Sequence, residues 1–564
     1  MSDLESTNSS AIKPSSPFKQ AVVESALWAA AGDALGWITE LARGSAGVKN
    51  RIGSTTVKEP VAWQRIIGGR NGPKVTLPMG TYSDDTQLRL AVSRSIRGNG
   101  IFDVETFAKI ELPVWPTYAL GAGLGTKAAA LNLSRRGVNW FSNFYERGTQ
   151  KYINGGGNGA AMRVQPHVWS SRGDEDEMLL NVLRDSIVTH GHPQGFCGAL
   201  FHALALRETL QEGAIPGPES WKKFALRFLS VPELVQKDNQ LDTFWRATWE
   251  SESKTSLEDA MSRAFNDASK DIQQVIDTIQ GPSIDTYHDA IGSIGCLTER
   301  FRGAGFKTAL AACALSYIYR DEPIEGTLAL AANELESDTD TIATMAGALL
   351  GSIAGRAPSW LIQDSEYIKS EAKRLADIAL GHTQSSFSYP DIGRWNPPTN
   401  QGASIKMHRG SWAIVGLGII NSHGNEFRSG DAAWQWFTLP FGQTILAKRK
   451  IDIIDEVSAD QLPRLDVQPI QSALPKKPHA IQHEKLQSEI SFSSELNKSV
   501  IDHASETDEL LDSDTDTVIA SGFDNETLGR LLNRAIDSTL SIEVAVGFAA
   551  IIAKAKIKRI KRGK

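Results

Sequence analysis

Cysteine is scarce. The 564-residue chain has three, Cys197, Cys296 and Cys313. Three thiols cannot build a disulfide framework, and none sits in a C-x-x-C pair, which argues against a thiolate zinc site. The opening residues, Met1-Ser2-Asp3-Leu4-Glu5, have neither the basic stretch nor the apolar run of a signal peptide. Long apolar runs are missing too: Val544 to Ala553, near the C-terminus, is about half of the ~20 residues a membrane span needs. A basic excess is also absent. Lys and Arg number 59 against 66 Asp and Glu, so the net charge of −7 speaks against a general nucleic-acid coat. These absences predict a soluble, cytoplasmic protein with no transmembrane segment. What is present, 41% hydrophobic and 8% aromatic residues, is enough for a sizeable core and excludes global disorder.

The length suggests several units, at a prior of ~150 residues per domain, although one large helical domain can absorb much of it. Residues 1–18 are polar and rich in Ser and Pro, as in a disordered tail. From 19 to 383 the apolar spacing is helical: Ala21–Leu41, Thr86–Ile96, Glu177–Val188, Gly195–Glu212, Ser256–Ile279, Phe306–Tyr319, Thr339–Ile353 and Asp364–Ala379. Strand-like alternation is scarce there, which predicts one large all-α domain. Residues 384–405 read as a connector rich in Ser, Pro, Asn and Gly. Trp412–Ile420 and Trp434–Leu446, around the turn-like Asn421-Ser422-His423-Gly424-Asn425, predict a small β-rich element, so 384–454 is connector plus β element. A polar acidic linker is expected over 455–523. A helical segment follows over 524–564 and ends in Lys554, Lys556, Lys558, Arg559, Lys561, Arg562 and Lys564.

Two segments place carboxylates and hydroxyls at a helix start. Ser83-Asp84-Asp85-Thr86 precedes the run Leu88–Val92, and Ser337-Asp338-Thr339-Asp340-Thr341 precedes a helix with Gly347, Gly351 and Gly355 at four-residue spacing. Read singly, each is also a helix cap with acids on the positive end of the dipole. Read together, they offer hard oxygen donors of the kind that Mg²⁺, Mn²⁺ or Ca²⁺ takes. Four or more nearby carboxylates repel one another unless cations neutralise them. In Gly32-Asp33-Ala34-Leu35-Gly36-Trp37-Ile38-Thr39-Glu40, a helical reading puts Asp33 and Glu40 two turns apart on one side. An acid pair there faces a site or solvent. The loops Gly121-Ala122-Gly123-Leu124-Gly125-Thr126 and Asn154-Gly155-Gly156-Gly157-Asn158-Gly159 can present backbone N–H groups to a diphosphate, or can be tight turns. In Thr189-His190-Gly191-His192, a hydrogen-bonded wall histidine is favoured over a metal ligand, because no third His or Cys is close in sequence.

Six of these motifs stand in one order: GDALGxxxE at 32–40, SDDT at 83–86, the glycine loop at 121–126, GNGAAMR at 157–163, TH at 189–190 and SDTDTIA at 337–343. In that order the chain resembles the ADP-ribosylglycohydrolase family, which includes dinitrogenase-reductase-activating and ADP-ribosyl-acceptor hydrolases. The resemblance covers roughly 20–380. It implies a large orthogonal multi-helix domain and two divalent cations, Mg²⁺ or Mn²⁺. The implied metal ligands are Ser83, Asp84, Asp85, Asp338, Asp340 and Thr341. Catalytic work is expected of Glu40, Asp84, Asp85 and Asp338. The ADP-ribose cradle would be Gly121, Gly123, Gly125, Thr126, Gly155, Gly156, Gly157, Asn158, Met162 and His190.

The implied activity is hydrolysis of the bond between ADP-ribose and an acceptor, with an ADP-ribosylated protein side chain favoured. The alternatives are an ADP-ribose-binding regulator without turnover and a hydrolase of ADP-ribosylated nucleic acid. The basic tail is the expected contact for a protein or nucleic-acid partner. Two features stand apart from the family pattern. Glu336-Ser337 replaces the usual Gly-Gly, adding a carboxylate. Asp512-Ser513-Asp514-Thr515-Asp516-Thr517 repeats the SDTDT string inside the expected linker, where it reads as a solvated segment and no ligand set.

Overall fold

Glycines at four-residue spacing decide the central packing. The computed structural model describes residues 17–464 apart from 70, 282 and 452–454, and residues 514–539 with parts of 546–559. Its main helices in the first unit are α1 (Pro17–Gly36), α2 (Asp84–Ser95), α3 (Leu124–Leu133), α4 (Glu175–Ile187), α5 (Pro193–Glu212), α6 (Leu257–Gln280), α7 (Gly305–Ile318), α8 (Thr339–Gly351) and α9 (Ser365–Ala379). Helices α1 and α8 lie antiparallel with their backbones in contact. A Cβ at Gly32 would sit 2.2 Å from the Ala343 carbonyl oxygen, and one at Gly36 2.3 Å from that of Thr339. From the other side, a Cβ at Gly347 would sit 2.3 Å from the Trp28 carbonyl oxygen. Close approach lets side chains bond across: Ser25 Oγ donates to Ala348 O and Thr344 Oγ1 to Ala29 O, both at 2.7 Å. Gly355, the third member of the sequence stripe, lies past the helix end at φ +66° in open space.

This register carries the C-terminus of α1 to the N-terminus of α8, so the acids of both segments meet. Gly32→Ala has no space for its methyl group because the opposing atom is backbone. We expect it to lower the unfolding free energy by about 3 kcal/mol, the upper end of overpacking costs. Urea unfolding of the two proteins checks this, and superimposable curves would contradict the packing.

The expected helices recur within a few residues, with one consequential difference. The first ends at Gly36 and not at Leu41; residues 37–41 form turns. Glu40 is therefore not two helical turns from Asp33 on one face. A short antiparallel hairpin, β1 (Trp63–Ile66) with β2 (Lys74–Leu77), was not foreseen. Each of its strands has only four residues, and those of a second hairpin, β3 (Glu146–Arg147) with β4 (Gln150–Lys151), only two, too few for alternation to stand out.

Residues 405–450 form the expected β element as two three-stranded antiparallel sheets. One joins β5 (Ile405–His408), β6 (Ser411–Ile414) and β7 (Gly418–Ile419), and the other joins β8 (Asn421–Ser429), β9 (Ala432–Thr438) and β10 (Thr444–Lys450). The expected turn at 421–425 is instead the start of β8, whose register shifts between His423 and Phe427. Its polar residues face solvent, while Trp434, Trp436 and Phe437 of β9 are buried.

The connector before the sheets is fastened to the helices. Trp395 Nε1 donates to Lys109 O at 2.7 Å, Tyr389 Oη to Glu111 Oε1 at 2.6 Å and Thr117 Oγ1 to Ser404 Oγ at 2.6 Å. Residues past the expected boundary at 454 also pack on the sheets: Val457 N–H donates to Met407 O at 2.8 Å and Leu462 is buried. By its contacts the first unit runs to Ile470. Of the expected disordered tail over 1–18, residues 1–16 lie outside the described residues, as does most of the expected linker, 465–513, whereas Pro17 and Phe18 already belong to α1.

The second unit, Gln471–Lys564, contains α10 (Asn525–Thr539) and a small core of Val518, Phe523, Leu531, Phe548 and Ile552. The repeated SDTDT string enters this unit as the start of a helix over 514–520. Asp514 is buried there and accepts from Arg534 Nε at 3.1 Å, so its carboxylate is paired with an arginine and is not solvated as the sequence suggested. No helix among the described residues is long and apolar enough to cross a membrane.

Candidate active site

Ser83 caps α2, its Oγ accepting from Asp85 N–H at 3.2 Å. The loop is fixed more firmly from outside. Asp33, on the last turn of α1, accepts from Ser83 N–H and Thr86 N–H, both at 2.9 Å, and from Thr86 Oγ1 at 2.6 Å. Asp84 and Asp85 are thereby held on a fully buried frame. Asp84 Oδ1 accepts from Ala122 N–H at 2.8 Å, while Asp85 Oδ1 is buried without a hydrogen-bond partner. Asp33 acts through the loop as a positioning residue, a role the sequence did not single out. Asn at 33 keeps one acceptor oxygen and loses the other. We expect Asp33→Asn to weaken metal affinity by about 10-fold or more while the protein still folds, the scale seen when outer-shell partners are lost. Calorimetric titration with Mn²⁺ reads this directly, and an unchanged affinity would remove Asp33 from the site.

The second segment begins at Asp338, the residue before α8. Its Oδ2 accepts from Asn158 Nδ2 at 3.0 Å, which ties the second glycine loop to the acids. Asp340 and Thr341 occupy the first turn of α8 and are buried. Glu40 stands in the turn after α1. Arg65 of the unforeseen hairpin bonds its Oε2 at 3.1 Å, and Arg51 donates to the Glu40 carbonyl at 2.7 Å. Arg65 also lies over the Trp37 ring, 5.0 Å from its centroid.

Burial dominates the electrostatics. It pushes Asp85 and Asp340 well above the ordinary carboxylate range, raises Asp33 and Glu40, and takes Asp84 up to about 7. The acids then raise one another: Asp33, Asp84 and Asp338 act on Asp85, and Glu40, Asp85 and Asp338 on Asp340. Arg65 pulls Glu40 back, and the buried Arg89 does so for Asp33 and Asp85. Arg89 Nη2 donates to Thr344 Oγ1 at 2.6 Å, while its Nε and Nη1 have no hydrogen-bond partner. One arginine beneath the cluster and one at its edge leave the acids undercompensated.

The glycine loops converge beside this cluster. A Cβ at Gly125 would be 3.3 Å from Tyr145 Oη, and one at Gly155 would be 3.2 Å from the same atom. A Cβ at Gly159 would be 3.0 Å from Thr126 Oγ1 and 3.1 Å from His190 Cε1. Gly121, at φ +98°, brings the chain so close that a Cβ would lie 2.4 Å from Asp84 Oδ1. The loops differ in what they offer. Helix α3 opens at Gly123 with no side-chain cap. Gly155, Gly156 and Asn158 instead donate their N–H groups within the protein, to Tyr152 O, Asn154 O and Gly303 O. Met162 is buried behind the loop and donates to Asn158 O at 3.1 Å.

His190 is a wall residue, as expected. Arg163 Nη2 donates to Thr189 Oγ1 at 2.8 Å, and the same hydroxyl is hydrogen-bonded to His190 Nδ1 at 2.7 Å. Nε2 lies beside Gly157 and Gly159. Burial lowers the His190 pKa to about 3, as it does for His202, which is bonded to Gln165. Both are neutral in the fold and charge when unfolded. The unfolded chain therefore binds more protons between pH 6.5 and 3. Stability falls as pH drops through that window, by up to about 1.4 kcal/mol per pH unit for each histidine. His202→Asn should remove one share from a plot of unfolding free energy against pH.

Residues 15–387 match the sequence profile of the ADP-ribosylglycohydrolase family. The chain belongs to the ADP-ribosylglycohydrolase family. Among solved structures, a protein titled "ADP-ribosylglycohydrolase-related protein complex" is 20% identical, covers 64% of this chain and 99% of its own, and superposes with a TM-score of 0.38. No curated protein matches.

Within the ADP-ribosylglycohydrolase frame, the departure at 336–337 has a structural answer. The Glu336 side chain is 68% exposed and turned to Arg302, at 3.4 Å. Arg302 Nε also holds the Glu336 carbonyl at 2.6 Å, and neither residue 336 nor 337 has a positive φ that would demand glycine. The added carboxylate stays out of the acid cluster. Among the described residues no three His, Cys, Asp or Glu side chains stand as a finished metal cage. The four aspartates of the expected donor set, Asp84, Asp85, Asp338 and Asp340, are near enough to raise one another's pKa but do not converge on one point in that way.

Proposed function

We propose that the chain is a metal-dependent hydrolase of the glycosidic bond between ADP-ribose and an acceptor. The observation that carries this is the meeting of residues 83–85 and 338–341, from distant parts of the sequence, around a buried and unpartnered Asp85 oxygen. The donors are all hard oxygens, which fits Mg²⁺ or Mn²⁺ and no softer ion. Ser83, Asp84 and Asp85 on one side and Asp338, Asp340 and Thr341 on the other would hold two such cations. When bound, they supply Lewis acidity to a water molecule and to the ribose hydroxyls.

The chain's own residues do the rest. The uncapped start of α3, from Gly123 to Thr126, presents N–H groups and a positive dipole end to the diphosphate. Neutral His190 turns Nε2 toward the second glycine loop at the neighbouring wall. Glu40, held by Arg65, faces Asp338 and takes up a proton from the attacking water or stabilises the positive charge that develops on the ribose. Burial keeps bulk water from this charge and strengthens every interaction with it.

Two features motivate a regulator without turnover, Glu336-Ser337 and the long C-terminal extension, and the outward course of Glu336 weakens the first of them. The test is a panel of ADP-ribosylated arginine, serine and DNA, incubated with Mg²⁺ or Mn²⁺ and assayed for free ADP-ribose. Release from at least one, abolished by chelation, is expected. Binding of ADP-ribose with release from none would favour the regulator.

A further inference from the structure

A groove of about 700 Å³ opens where the β element meets α3. Its walls come from both parts of the first unit. Leu124, Lys127 and Leu131 of α3 form one side, Arg147 and Gln150 of a two-residue hairpin another, and residues 398–402 with Lys448 of β10 the third. The chain carries a net charge of −7, yet this groove has three cations and no carboxylate in its lining. Among the described residues, none of the three has an acidic partner. Lys127 Nζ reaches the Gly121 carbonyl at 3.4 Å, and Lys448 Nζ rests over the Trp434 ring at 5.1 Å. Glu146, next to Arg147, is taken by Lys151 at 2.6 Å. The three cations are therefore not engaged in ion pairs.

The groove adjoins the glycine loop of the candidate site: Leu124 of that loop lines it, and Lys127 reaches back to the Gly121 carbonyl, one residue before the Ala122 N–H that bonds Asp84. Beside the cations the groove is lined by aliphatic residues and prolines and by the amides of Gln150, Asn400 and Gln401. Unpaired cations and neutral donors among aliphatic side chains suit the charged sugar-phosphate backbone of a nucleic acid. No aromatic residue lines the groove for base stacking. Such contacts position a strand without reading its sequence.

We propose that this groove holds the phosphodiester backbone of a single-stranded nucleic acid, and that a strand bearing ADP-ribose is the acceptor-side substrate. The second clause rests on the hydrolase reading; the first does not. It gives the β element a task, since Lys448 and residues 398–402 complete the groove, and it moves the acceptor away from the protein side chain that the sequence favoured.

The experiment uses the full chain and a fluorescent oligothymidylate of about 10 nucleotides, within the usual site size for single strands. Fluorescence anisotropy is followed across a salt series. Wild type binds. Arg147→Gln with Lys448→Gln melts as wild type does, binds about 10-fold more weakly at moderate salt, and lowers the slope of log K against log salt by about 1.4, or ~0.7 for each phosphate no longer neutralised. A second variant, Lys556→Gln with Arg559→Gln, controls for the basic C-terminal run. Loss of binding in that variant alone would overturn the proposal, as would equal binding of a poly-glutamate peptide.

The oligothymidylate carries no ADP-ribose, so its binding reads the groove whether or not the chain is a hydrolase. In turnover, the groove variant should lose kcat/KM on an ADP-ribosylated oligonucleotide and keep it on an ADP-ribosylated peptide. Equal losses on both would refute the substrate assignment and leave the hydrolase reading intact.

Discussion

Asp84→Ala combined with Asp340→Ala is expected to abolish Mg²⁺ and Mn²⁺ binding in calorimetric titration. The two aspartates come from opposite halves of the cluster, and both are buried and pushed upward by burial and by neighbouring acids. Buried like charges raise the free energy of the fold when no cation is present. Removing two of them should therefore raise the melting temperature of chelator-treated protein. Wild type should instead gain stability on adding metal, by about 2.7 kcal/mol at a hundredfold excess over Kd. The double variant should gain none. The two readouts have opposite signs in one protein, which a general loss of folding could not produce. Unchanged metal binding in the double variant would refute the site.

The strings that make up the candidate site were legible in the sequence because they are short and local. A carboxylate–hydroxyl cluster at a helix start is visible in four letters, and so is a run of glycines. The helix contact that brings the strings together was half visible, in the spacing of Gly347 and Gly351 and of Gly32 and Gly36. What the sequence did not disclose are the parts fixed by long-range geometry. Asp33 was read as sharing a helical face with Glu40; instead it faces α2 and binds the loop at Ser83 and Thr86. Arg65 sits in a hairpin too short to announce itself, yet it is the cation that holds Glu40. Asn158, expected in the nucleotide cradle, spends its amide on Asp338. The course of Glu336 turned on Arg302, 34 residues away. In each case the missing fact was a partner, and partners are set by packing that no local pattern encodes.

Glu40→Gln should reduce hydrolysis by roughly 10²-fold or more, the scale of losing a general base, while the protein folds and binds metal as wild type does. The side chain keeps its shape and loses its charge. It stands in a turn fixed by Arg51 at the backbone and by Arg65 at the carboxylate, so the glutamine can occupy the same place and still accept from Arg65. Since Glu40 is not among the expected metal ligands, its loss should spare metal affinity, unlike that of Asp84 and Asp340. The separation matters because Glu40, unlike Asp84, Asp85, Asp338 and Asp340, is not assigned to a metal and is the proposed proton acceptor. Burial raises its pKa and Asp338 adds to the rise, which brings it closer to the value a base needs near neutrality. The expected signature is a lowered kcat with an unchanged KM for an ADP-ribosylated substrate. A variant with wild-type kcat and weakened metal binding would make Glu40 a ligand, and the proton would then have to pass to one of the aspartates.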